Sequence, residues 1–220
     1  MALSWWNSAV WWRSPALWIG VGVLLFVAGR VAENRLSGRA VKESAAWPYL
    51  REAVIAAYSV IPAFAGIPLA LLFPSALGVE SSVWLPRFFK GLGMFAALFL
   101  VLMFFVLVSR GRGRKRARGS YPWWMGLRDG IYDQAHWGFY RGLVAMAGLG
   151  VYAATWLGAL VALVEWTISG VATGLPPRGK SALFLGVLLT TSALFLYSRN
   201  LWLCMIFHWL AMWVAKGEWS

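Results

Sequence analysis

The feature that most constrains this chain is a series of apolar stretches that runs with few breaks from residue 15 to residue 215. The stretches lie at roughly 15–32, 53–76, 90–109, 127–148, 150–168, 181–198 and 201–215. Several approach the ~20 residues that an α-helix needs to cross a hydrocarbon core, and the shorter ones can do so if tilted or shielded by neighbours. A soluble fold of 220 residues cannot hide so much apolar surface. Hydrophobic residues make up 60% of the chain and charged residues 13%, against ~45–50% and ~25% in soluble domains. A soluble globular domain, a disordered chain and a disulfide scaffold are thereby excluded. The sequence predicts an all-α fold, a polytopic transmembrane bundle of about six to seven helices read as one domain.

The stretch from Ile131 to Trp166 is the ambiguous one. Gly148 and Gly150 divide it, because two nearby glycines weaken a helix. Seven segments with the N-terminus outside put residues 30–52, 110–128, 169–180 and the C-terminal tail inside. These carry 5, 7, 2 and 1 Lys or Arg, against four outside, namely Arg13, Arg87, Lys90 and Arg199. Six segments weaken the split to 13 against 6. Basic residues are retained on the cytoplasmic side, so the count favours seven helices, a cytoplasmic C-terminus and, as the expected location, a bacterial cytoplasmic membrane.

That asymmetry also accounts for the net charge of +12. The densest run, RGRGRKRARG at 110–119, reads as a solvated topogenic loop, with Arg112, Arg114, Lys115 and Arg116 available to anionic lipid or an acidic partner. No fold or aromatic platform around it supports nucleic-acid binding. The first 14 residues hold Trp5, Trp6, Trp11 and Trp12, which do not share one helical face. Tryptophan favours the membrane interface, so this Trp-rich N-terminus (1–14) reads as an anchor or a contact surface for lipid or a partner subunit. Segment 53–76 contains Pro62 and Pro68, which should kink it. The single cysteine, Cys204, lies in an apolar run and reads as a buried structural thiol.

Ionisable residues at membrane depth are expensive and tend to be functional. They are Asp133, His136, Tyr140 and Arg141 in the fourth segment, Glu165 at the end of the fifth and His208 in the seventh. Asp133, His136 and Tyr140 are spaced i, i+3, i+7 and share a helical face. With Arg141 and His208 they are expected to form an interhelical polar cluster, with an Asp–Arg or Asp–His pair neutralising it. Glu165 is expected near the membrane surface. The alternative is a zinc site, since a carboxylate and two imidazoles suit a divalent metal.

Three stretches bring a family into view. They are HWGFYRG at 136–142, LVALVE ending at Glu165, and LYSRNLWLCMIFHWLAM at 196–212. The C-terminal region, roughly 123–215, resembles the CPBP family of intramembrane CAAX-processing and bacteriocin-immunity-type metalloproteases. That family carries EExxxRG, then FxxxH, then HxxxN or HxxxD. Arg141–Gly142 matches the first motif, but His136 and Trp137 stand where the glutamates belong. Glu165 stands where the second motif has histidine, and Met212 where the third has Asn or Asp. His208 falls on the motif histidine.

The resemblance implies a membrane fold that has lost the glutamates which activate water. The chain then divides into the N-terminus, transmembrane helices with the basic loop (15–122), and a CPBP-like C-terminal half (123–220). The expected function is a non-catalytic accessory or assembly subunit of a larger membrane complex, respiratory or photosynthetic. Its 16 tryptophans would contact membrane lipids and other membrane-protein subunits, with a pigment, quinone or lipid in Trp-lined grooves. The alternative is an atypical intramembrane metalloprotease with a rearranged zinc centre of His136, Glu165 and His208, and Asp133 nearby as a base.

Overall fold

Proline opens several of the helices. Its fixed φ suits the first turn, where its missing N–H has no intrahelical acceptor to lose. Pro15 starts α1 (Pro15–Leu36), Pro48 is second in α2 (Trp47–Ser59), and Pro86 is third in α3 (Trp84–Arg110). Pro122 precedes α4 (Trp123–Met146), where its carbonyl accepts from Met125 N–H at 3.0 Å. Three more helices follow: α5 (Val151–Thr173), α6 (Lys180–Ser198) and α7 (Leu201–Lys216). The computed structural model describes residues 14–36, 46–59, 84–110, 122–174 and 180–216, and the described residues are all-α with seven helices. Pro62, Pro68, the four N-terminal tryptophans, and Arg112, Arg114, Lys115 and Arg116 lie outside them.

The glycine division of the central apolar run falls as expected. Gly148 takes φ 83°, a left-handed conformation that other residues rarely adopt. The chain then turns through Gly150, and α5 begins at Val151. Asn200 separates α6 from α7. Its side-chain oxygen accepts from Leu203 N–H at 3.0 Å and so caps α7.

Several expected boundaries move, α5 for example running to Thr173 rather than 168. The second helix starts at Trp47 rather than residue 53, and the third at Trp84 rather than 90. Both opening turns hold charged or aromatic residues that apolar counting passes over, although proline in a first turn marks them.

Among the described residues three helices are long and apolar enough to cross a membrane: Pro15–Arg35, Leu85–Phe105 and Val151–Thr173. Two shorter apolar helices, Leu183–Ser198 and Leu201–Ala215, accompany them. α4 has the length, with 24 residues, but carries Arg128, Asp129, Asp133 and Arg141. The long apolar helices leave large side chains uncovered, among them Leu24, Leu100, Phe104, Phe105 and Val171.

The chain forms two compact units. One comprises residues 1–76 and 135–177, the other 77–134 and 178–220. In the first, α1 packs on α2 and α5. Arg51 of α2 donates to Glu33 of α1 at 2.7 Å, and Tyr58 meets Phe26 edge-on at 5.0 Å. The C-terminal half of α4 joins this unit at Gly158, where an added Cβ would come within 2.9 Å of the Arg141 backbone nitrogen. In the second unit α3, α6 and α7 pack on one another, with Phe207 set edge-on to Phe95 and Phe99. The N-terminal half of α4 joins this unit at Gly130, where a Cβ would lie 2.9 Å from the Met205 carbonyl oxygen. Small residues at such crossings let helix backbones approach closely in bilayers.

Candidate functional site

The buried polar residues of α4 gather partners in two clusters, one in each unit. In the first, α4 supplies His136 and Tyr140, four residues apart and so on one face, and α5 supplies Glu165. All three are at most 2% exposed. His136 Nε2 lies 2.9 Å from both Glu165 oxygens, and Tyr140 donates its hydroxyl to Oε1. Phe26 of α1 stacks on the imidazole, centroids 5.0 Å apart and planes at 26°, while Tyr140 meets it edge-on at 4.8 Å. The cluster therefore ties α1, α4 and α5 together. Among the described residues His136 Nδ1 has no hydrogen-bond partner.

In the second cluster α4 supplies Asp133 and Gln134, α6 supplies Thr191 and α7 supplies His208. The Thr191 hydroxyl donates to the Val187 carbonyl at 2.8 Å, so its oxygen is free to accept. Gln134 Nε2 lies 3.1 Å from that oxygen and 3.3 Å from His208 Nδ1. One amide group thus donates both its protons, and Nδ1 of His208 is the acceptor. The ring proton then sits on Nε2, which faces Asp133 Oδ2 at 3.5 Å. Both nitrogens of His208 are engaged. Cys204 is buried beside this network and donates to the Thr191 carbonyl at 3.4 Å.

Of the expected polar cluster, His136 and Tyr140 meet Glu165 within one unit, and Asp133 and His208 face each other beside Gln134 within the other. Glu165 is buried, 1% exposed, and stands eight residues short of the end of α5, which runs on to Thr173. Among the described residues no three His, Cys, Asp or Glu side chains form a group that could hold a metal.

Arg141 is buried at 4% exposure, with the α5 backbone brought close by Gly158. Trp137 is buried at 7%, whereas Trp123, Trp124, Trp156 and Trp202 are exposed.

Gln134 and Thr191 escape a search restricted to ionisable groups. Their signal is a neutral hydrogen-bonding residue inside an apolar helix. Comparison of the chain with protein-family models, curated proteins and solved structures gives no match.

Proposed function

We propose that this protein is a non-catalytic, CPBP-like accessory or assembly subunit of a membrane complex, set in a bacterial cytoplasmic membrane with its C-terminus inside. The observation that carries this reading is the mutual pairing of the candidate catalytic groups. His136 and Tyr140 bond Glu165, while His208 bonds Gln134 and faces Asp133. A hydrolytic zinc centre needs three converging protein ligands and an open position for water. These residues are used instead as pins between helices, which suits a protein that offers surface rather than turnover. The exposed Trp123, Trp124, Trp156 and Trp202 supply large rigid contact area for lipids or partner subunits.

Gentle purification from its own membrane tests the proposal, with partner stoichiometry and metal content read on one sample. A fixed-ratio complex without stoichiometric metal is the expected result. A lone protein that carries one divalent metal per chain, and cleaves peptide until His136→Ala abolishes the cleavage, would overturn it in favour of the metalloprotease reading.

A further inference from the structure

The start of α3 at Trp84, with its apolar span at Leu85–Phe105, takes Arg87 and Lys90 inside the span. At ~1.5 Å per residue, Lys90 lies about 7 Å beyond the span's first residue. A cation there is costly against hydrocarbon unless a partner meets it or its long side chain reaches the headgroups. Lys90 is exposed, and among the described residues its Nζ meets the Tyr197 ring, 5.2 Å from the centroid. A ring face attracts a cation, but it does not cancel the charge and offers no lone pair to three N–H donors. The helices of the same unit bring more charge to this corner. An added Cβ at Gly91 would lie 2.6 Å from Ser198 Cβ, so the opening turns of α3 abut the junction of α6 and α7. Arg199 stands at that junction with φ 53°, and its Nε donates to the Leu196 carbonyl at 3.2 Å. Arg87 precedes Lys90 by three residues and so shares its side of α3. Four basic residues fall outside by the charge count, and three of them gather here. The described acids of this unit lie on α4, where Asp129 pairs with Arg128 and Asp133 faces His208.

We propose that this corner, where Lys90 lies over Tyr197 beside the α6–α7 junction, binds the phosphate of an anionic glycerophospholipid. The charge calls for an anion, and the surroundings call for one with an apolar body. Tyr197 and Trp202 are exposed at the corner, and such rings settle at headgroup level. From the corner, exposed Phe89, Leu100 and Phe104 continue down one side of α3, where acyl chains would lie. A carboxylate on a partner protein brings the charge but not the chains. The site rests on the membrane reading of α3 and holds whether or not the protein is an accessory subunit.

The chain has five lysines, which makes the test direct. The full chain in maltoside micelles is acetylated with a water-soluble N-hydroxysuccinimide acetate, and peptide mass spectrometry follows each lysine separately. Dioleoylphosphatidylglycerol should slow acetylation of Lys90 about fivefold relative to the same amount of dioleoylphosphatidylcholine, the factor that one basic residue near anionic lipid carries. The double variant Arg87→Gln, Arg199→Gln should lose most of that protection. Equal rates in the two lipids would overturn the proposal, and so would full protection in a folded double variant. Slowing of the same size at Lys42 and Lys180 would also overturn it, by showing general charge attraction. Protection by inorganic phosphate alone would do so too, by making the corner a site for a free anion. The wild-type comparison of the two lipids decides even where the double variant fails to fold.

Discussion

The two histidines solve the same problem in opposite ways. Each sits 2% exposed, and each sets a ring nitrogen against a carboxylate. In the α3–α6–α7 unit the carboxylate is Asp133, with 38% of its side chain exposed, and the second ring nitrogen is closed by Gln134. In the α1–α2–α5 unit the carboxylate is Glu165, enclosed and shared with Tyr140, and the second ring nitrogen has no hydrogen-bond partner among the described residues. Asp133 is partly open to its surroundings and Glu165 is not. The Asp133–His208 cluster is a structural pin that tolerates damage, while the His136–Glu165 cluster concentrates its cost on one buried group.

Glu165→Ala tests that contrast most severely. It removes the acceptor of both His136 and Tyr140 at once and is expected to cost about 3–5 kcal/mol, as for breaking a buried pair. Denaturant titration in mixed micelles measures the total. Hydrogen exchange should locate the loss in α1 and α5, with α6 and α7 still protected. A loss below about 1 kcal/mol, the scale of an exposed pair, would mean that the enclosed acid bears no more than the half-exposed one.

The glycine crossings come next. A side chain at Gly158 meets the α4 backbone at Arg141, and one at Gly130 meets the α7 backbone at Met205. Backbone cannot step aside as a flexible side chain can. Gly158→Leu and Gly130→Leu should each cost about 1–3 kcal/mol by overpacking. Each should loosen its own unit, read as exchange in α5 for the first and in α7 for the second. Loosening of the opposite unit would show that the division at residues 134 and 135 is not the one that governs stability.

Much of the fold was legible because its signals are local. Apolar runs located the seven helices, and Gly148 with Gly150 divided α4 from α5. The site was legible only as a set of residues. Spacing put Asp133, His136 and Tyr140 on one side of a helix, but their partners come from α7 for Asp133 and α5 for His136, and periodicity along one helix says nothing about which neighbour faces it. Glu165 was expected near a surface because the fifth apolar run was ended at residue 168. The small and polar residues that follow still propagate α5 to Thr173, so Glu165 stands further from the helix end than hydropathy suggests. Gln134, which decides the tautomer of His208, carries no charge and so drew no attention.

The gentler substitutions sharpen the comparison from the other side. Gln134→Leu keeps the bulk but deprives His208 Nδ1 of its donor, and should cost about 1–2 kcal/mol by the same denaturant titration. It should also make His208 resemble His136, with one open nitrogen. Asp133→Asn is the smallest change and the direct counterpart of Glu165→Ala. An asparagine oxygen at the position of Oδ2 still accepts from His208 Nε2–H, and the side chain is partly exposed. The contact spans 3.5 Å with one partner half-exposed, so its removal should cost less than about 1 kcal/mol. The result separates two accounts of the second unit. If Asp133 only faces a neutral ring held in place by Gln134, stability is nearly unchanged and the His208 tautomer stays as it is. If stability instead falls as far as in Glu165→Ala, His208 is a charged group that depends on Asp133, and both units are then held by ion pairs.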